Sequence, residues 1–183
     1  MKYLMLFVDN FEDTEAISTM DVLKRGGDEV VGASLMKRLD VKAKFGFTVH
    51  VDTLIEDVNL EEFDALIIPG GPGSFLIMPS LPIVFDLINY FANKNKLVAS
   101  ICAAPHLVGK IGYFKNLNYT VHPGFENQVV GGNYKRELGV VRDGNFITAK
   151  SMYYSVKFGL KIHEYFHGSE SMEKLRIACM GEK

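Results

Sequence analysis

Cys102 has the most telling neighbours of any residue in this chain. It follows the apolar run 97–101 in "VASICAAPHLVGK", residues 98–110, and small residues and a proline come after it. A strand that turns sharply into a helix presents its turn residue at the mouth of a crevice. The positions two before and two after must then be small. Here they are Ser100 and Ala104. A thiol so placed meets a helix N-terminus, whose dipole and free N–H groups favour a thiolate and can hold an oxyanion. Gly70 and Gly71, closing another apolar run, let a second backbone amide approach. The same stretch also suits a buried sulfur, because free cysteine is among the most buried residue types. Cys179 lies on an apolar helical face with no such turn and is expected in the core.

A thiolate needs a proton partner. Glu12, Asp13, Glu15, His106 and His122 are the candidates. Glu15 falls in the first turn of the helix after the first strand. A protonated Glu15 can donate to a thiolate sulfur and form a coupled pair with it. It can equally be an acid that complements the helix dipole. His122, in "YTVHPGFE", precedes Pro123 and so sits in extended chain or a turn. It can serve as base or proton shuttle, or be an inert loop histidine. His106 lies inside the helix after Cys102 and is expected to point away. His50, His163 and His167 have no motif context.

These residues need a scaffold. "KYLMLFVD", "DEVVGASL", "FDALIIPGG" and "KLVAS" have the composition of strands. "TEAISTMDVLKRGG" has Ile17, Met20 and Leu23 spaced in threes before a Gly26-Gly27 stop. "SLPIVFDLINYFANK" carries Val84, Leu87, Ile88 and Phe91 on one helical face, with Ser80 as N-cap and Pro82 in the first turn. Residues 40–55 form a short strand pair or irregular excursion. "LGVVRDGNFITAK" suggests a hairpin turning at Asp143-Gly144. The tail repeats Tyr154, Phe158, Ile162 and Phe166 as one helix, and Met172, Leu175 and Cys179 as another. The alternation predicts one α/β domain over 1–183, a mostly parallel sheet with helices on both faces. Sites in such folds lie beyond the carboxyl ends of strands: here "VDNFEDTE", "IIPGGPG" and "VASICAAP".

Composition excludes several classes. The 183 residues carry a net charge of −2, so no footprint for nucleic acid or anionic membrane is present. No apolar run approaches the ~20 residues that span a bilayer. The N-terminal run meets acid at once and lacks a cleavage site. Two distant cysteines fit a reducing, cytoplasmic setting rather than a disulfide scaffold. No Cys/His pairing has zinc-finger spacing, and neither metal nor cofactor is expected.

"FEDTEAISTMDVLKRGG", "ALIIPGGPG", "VASICAAPHLV" and "TVHPGFE", in this order, resemble the ThiJ/PfpI superfamily, nearest the Parkinsonism-associated deglycase branch and its bacterial relatives. The resemblance runs from the first strand to near residue 166. It implies a flavodoxin-like sandwich, similar to class I glutamine amidotransferases, with a cysteine nucleophile elbow, and a homodimer. It places the reactive thiol at Cys102, its partner carboxyl at Glu15, a nearby histidine at His122 and oxyanion-type amides at Gly71 and Ala103. Gly70, Pro123 and Lys150 fall on the pocket wall. Protease-type members carry His directly after the nucleophile, where this chain has Ala103. Deglycase-like members often have Gly-Pro-Gly after the final strand, where this chain has Lys150-Ser151 in "TAKSMYYS". "KAKFGFTVHVD" lacks an arginine that some relatives use between subunits, so a different interface is expected.

Three activities follow from the resemblance. The first is a stress-protective, cofactor-independent enzyme on small aldehydes or modified proteins, of the glyoxalase III or protein deglycase kind. Cys102 would form a hemithioacetal, and Glu15 or His122 would move protons between adjacent carbons. The second is a redox-sensing chaperone working through Cys102 oxidation. The third is an intracellular amidase or peptidase of the PfpI type.

Overall fold

The first apolar run alternates between two cores, and this sets the architecture. Leu4 and Leu6 belong to one buried cluster, while Tyr3, Met5 and Phe7 belong to another. A strand buried on both faces needs helices on both faces. The computed structural model describes residues 1–182 and has this arrangement. The chain opens with β1 (Lys2–Phe7), α1 (Asp13–Arg25) and β2 (Glu29–Ser34). An excursion follows, of β3 (Asp40–Lys42), β4 (Thr48–His50) and β5 (Thr53–Leu54). Next come β6 (Ala65–Ile68), α2 (Pro72–Leu76), α3 (Pro82–Asn93), β7 (Leu97–Ile101) and α4 (Pro105–Lys110). The chain ends with β8 (Asn118–Tyr119), β9 (Asn133–Tyr134), β10 (Val140–Asp143), β11 (Phe146–Ala149) and α5 (Ser155–Cys179).

Seven strands form the main sheet in the order β10-β11-β7-β6-β1-β2-β5. Every pairing in it is parallel except β10 with β11. The α/β fold with a mostly parallel sheet and flanking helices is therefore as the alternation predicted. One face is covered by α3 and α4 through Val84, Leu87, Ile88, Phe91 and Leu107. The other is covered by α1 and α5 through Ala16, Leu23, Phe158 and Ile162. Parallel β1, β6 and β7 all end on the same edge, so the turns that follow them meet there. The antiparallel β3–β4 hairpin is tied to the β1–α1 turn by Asn10 N–H donating to Lys42 O at 2.7 Å. No single helix among the described residues is long and apolar enough to cross a membrane.

Local details differ from the sequence expectations. Ile17 is exposed, because α1 buries the face bearing Glu15, Ala16, Thr19, Val22 and Leu23. A face that buries a glutamate and a threonine is invisible to apolar periodicity. Ser80 does not cap α3. Its hydroxyl donates to Ile77 O at 2.8 Å, and Leu81 occupies the cap position ahead of Pro82. The hairpin pairs Asp143 with Phe146, so its loop is Gly144-Asn145, one residue later than expected. The two expected tail helices run into one another, with the break at Gly168 (φ 81°, ψ 170°). Cys179 is half-buried against a small satellite cluster of Val22, Leu160 and Leu175 rather than in the main core.

Candidate active site

Cys102 directly follows β7 in the left-handed region, with φ 64°. Such a conformation persists for a non-glycine residue only where neighbours hold it. Here the Cys102 N–H donates to Ala149 O at 2.8 Å, and its carbonyl accepts the His122 N–H at 2.7 Å. The thiol is half-buried at the turn into α4. The backbone N–H groups of Ala103 and Gly71 both act on the sulfur.

Glu15 is delivered from the other side. The Glu12 carboxylate caps α1 by accepting the Glu15 N–H at 2.8 Å, and Glu12 N–H donates to Gly70 O at 3.0 Å. Glu12 is thus a cap that fixes the start of the helix, not a proton partner of the thiol. Glu15 is fully buried, and its Oε2 accepts the Gly70 N–H at 3.0 Å. Its Oε1 is buried with no hydrogen bond of full geometry, although the Cys102 thiol is near enough to act on this carboxyl as a hydrogen-bonding neighbour.

Gly70 separates acid from thiol. A Cβ there would lie 2.5 Å from Glu15 Oε2 and 2.6 Å from the Cys102 Cβ. Gly71 has φ 92°, and a Cβ on it would strike the Glu12 backbone nitrogen at 2.4 Å. Only two consecutive glycines let the β6 turn pass between Glu15 and Cys102.

Burial pushes the Glu15 carboxyl up to about 7, against the lowering pull of the Cys102 thiol and the Gly70 amide. Burial also pushes the Cys102 thiol above its ordinary value, an ionised Glu15 adds to this, and the Ala103 and Gly71 amides pull the other way. Burial thus opposes the thiolate that the turn geometry favours. Each of the two acids is among the groups that shift the other.

His122 is exposed. Its Nδ1 donates to Pro123 O at 3.0 Å, which leaves Nε2 free as a base, and its contact with the elbow is through the backbone. Lys150 turns its ammonium to the Arg136 carbonyl, and its N–H donates to Gly139 O at 2.9 Å. His106 has a role the sequence did not disclose. It is buried, with Nδ1 donating to Ala103 O at 2.7 Å, and burial holds its pKa below the usual imidazole range. A neutral ring thereby holds the Ala103 carbonyl, one peptide beyond the N–H that acts on the thiol. The signal in the sequence was its position four residues after Cys102. Asp13 also stays apart from the thiol, accepting the Phe45 N–H through Oδ2 at 3.3 Å.

A half-buried thiol on a strained strand-to-helix turn, with an acid and two amides around it, defines the class of α/β proteins built on a nucleophile elbow. Residues 1–165 match the DJ-1/PfpI family model, and the chain belongs to that family. It is 32% identical over 173 residues to Protein dj-1beta of Drosophila melanogaster, covering 94% of this chain and 92% of that protein. A deglycase of Pyrococcus abyssi is 34% identical over 151 residues, 82% of this chain and 90% of its own length. The crystal structure of Drosophila DJ-1beta superposes with a TM-score of 0.91 at 30% identity, covering 100% of this chain and 98% of that one. An oxidised DJ-1 of Toxoplasma gondii superposes at 0.85 with 27% identity, covering 99% and 98%.

Proposed function

We propose that this protein is a cofactor-independent cysteine enzyme acting on small reactive carbonyls, of the glyoxalase or protein deglycase kind. The observation that carries the reading is the Glu15–Gly70–Cys102 cluster, in which a buried carboxyl with a pKa of about 7 sits beside an accessible thiol. A general base works best when its pKa lies near the working pH. As the sulfur adds to the aldehyde carbon of a 2-oxoaldehyde, Glu15 takes the thiol proton. The Gly71 and Ala103 N–H groups stabilise the charge that develops, giving a hemithioacetal. Moving the C1 proton to C2 through Glu15 or the free His122 Nε2 converts this into the thioester of a 2-hydroxy acid. Water then cleaves the thioester and restores the thiol. Carbon oxidation at C1 matches reduction at C2, so no outside oxidant is needed. Relatives named deglycases, among them that of Pyrococcus abyssi, support the substrate class. Pro123 and Lys150 are assigned to the pocket wall.

The test is lactate formation from methylglyoxal. Cys102→Ala should abolish it, and Glu15→Gln should lower kcat/KM by roughly 100-fold or more, the scale of a lost general base. In the wild type kcat/KM should rise with pH through about 7 as Glu15 ionises. Equal turnover in wild type and both variants rules this reading out.

A second reading, a redox-sensing chaperone working through Cys102 oxidation, is favoured by the unpartnered Glu15 Oε1. In protonated form that oxygen would donate to a sulfinate, and a structural neighbour is described as oxidised. A stable two-oxygen adduct on Cys102, without turnover of aldehydes, would favour it. The peptidase reading is weakest: Ala103 replaces the adjacent histidine, and His106 is committed to Ala103 O. We assign the working form as a cytoplasmic homodimer that meets through the exposed Phe45, Phe47 and Ile17.

A further inference from the structure

His163 and His167 are one turn apart in α5, in the stretch "HEYFH", so their rings share one helix face. The rings stack with centroids 4.3 Å apart. Asp28, in the turn between α1 and β2, meets them both. Its Oδ2 is 3.2 Å from His163 Nδ1, and its Oδ1 is 2.8 Å from His167 Nε2. The Met1 amine also donates to Oδ1 at 2.9 Å, and the Tyr3 hydroxyl to Oδ2 at 3.0 Å. The side chains of Asp28 and His163 are 1% and 2% exposed, and that of His167 is 30% exposed. One donor atom from each of the three lies within 4.8 Å of the others.

The surroundings prepare these groups for an ion. Without an ion, His163 Nδ1 donates to Asp28 Oδ2 and Nε2 accepts from the Ser171 hydroxyl, 2.9 Å away; an ion at Nδ1 takes the place of that proton, and Nε2 then donates to Ser171 Oγ. Metal-bound histidines are held in this way through their second nitrogen. Gly26 makes room for the ring, since a Cβ there would lie 2.6 Å from His163 Nδ1. Ligands about 2.0–2.1 Å from a tetrahedral Zn²⁺ are about 3.3 Å apart, and the three donors, all within 4.8 Å of one another, reach that spacing by side-chain adjustment. The exposed edge of His167 gives the ion a way in. Two imidazoles and one carboxylate suit Zn²⁺ better than the all-oxygen cations Mg²⁺ or Ca²⁺.

We propose that Asp28, His163 and His167 form a binding site for a divalent transition-metal ion of the Zn²⁺ type, with water in the fourth position. The bound ion clamps α5 to the turn between α1 and β2. Glu164, the acid between the two histidines, is paired with Lys161 and not with this cluster. Zinc-finger spacing could not reveal it, because Asp28 is 135 residues from His163 in the chain. The proposal stands apart from the chemistry of the elbow.

The test uses the full chain in a Cys102→Ala/Cys179→Ala background, so that no thiol contributes a ligand. After chelator treatment, Co²⁺ is titrated and followed by visible absorption, and Zn²⁺ by calorimetry. One ion per chain is expected, with the intense visible bands of tetrahedral Co²⁺ and a melting temperature raised by Zn²⁺. His167→Gln, a change at a partly exposed position, should abolish the bands and the thermal shift while circular dichroism stays native. Ser171→Ala should weaken binding about 10-fold. Co²⁺ that keeps the weak spectrum of its aqua ion, or binds His167→Gln as tightly as the parent, overturns the proposal.

Discussion

Glu15 shows how one residue ties stability to chemistry. In the folded chain burial raises its carboxyl from 4.5 to about 7, so the native state holds this proton more tightly than the unfolded chain does. The sign follows by linkage: the contribution to stability is full below about 4.5 and is lost as pH rises through about 7. The shift corresponds to roughly 3 kcal/mol. Urea unfolding at about pH 5 and about pH 8 measures it. Wild type should lose stability over this interval relative to Glu15→Gln, whose amide cannot ionise. Parallel curves for the two proteins would remove the basis for Glu15 as a base tuned to neutrality. The residue types at this site were legible in the sequence, since Cys102, Glu15 and Gly71 each came from a local motif. The direction of their pKa shifts was not, because it depends on how much water the finished fold removes from two acids at once.

At the scale of elements, three strand-to-helix turns supply the site, and the turn after β6 is the tightest. Gly71 has φ 92° with backbone atoms closing round it, whereas Gly112, just beyond α4, has φ 90° and open space. Gly112→Ala should therefore cost only the strain of a left-handed alanine, about 1–2 kcal/mol, and leave turnover intact. Gly71→Ala should cost more than this and also remove activity, because its amide must move off the thiol to relieve the clash with Glu12. Thermal melts and aldehyde turnover on the two variants separate strain from site geometry. Equal loss of activity in both would show that the turn is not what holds the site. Element types were readable because apolar runs and glycine stops are local. Of the errors, one came from a competing local bond and one from a contact distant in sequence. Ser80 closes its own turn, and the α1 face that Ile17 was expected to bury is taken by Glu15 and Thr19.

At the scale of the whole molecule, the exposed apolar residues Phe45, Phe47 and Ile17 lie on the β3–β4 hairpin and α1, which the link from Asn10 to Lys42 holds beside the β1–α1 turn. Burying them against a second copy would also shield Asp13 and the start of α1. Phe47→Glu should convert a dimer to a monomer in sedimentation equilibrium at micromolar concentration, and a wild-type monomer there would remove this surface as the interface. The sequence by itself determined the main alternation of strands and helices, the two-faced sheet and the identity of the elbow residue, because each is encoded by a run of a few consecutive side chains. Only the tertiary structure decided that Glu15 and Cys102 meet on either side of Gly70, that His106 braces Ala103, and that Asp28 joins His163 and His167. Each of those depends on atoms brought together from distant turns or across a buried peptide, where burial and distance fix the energy and no spacing along the chain records them.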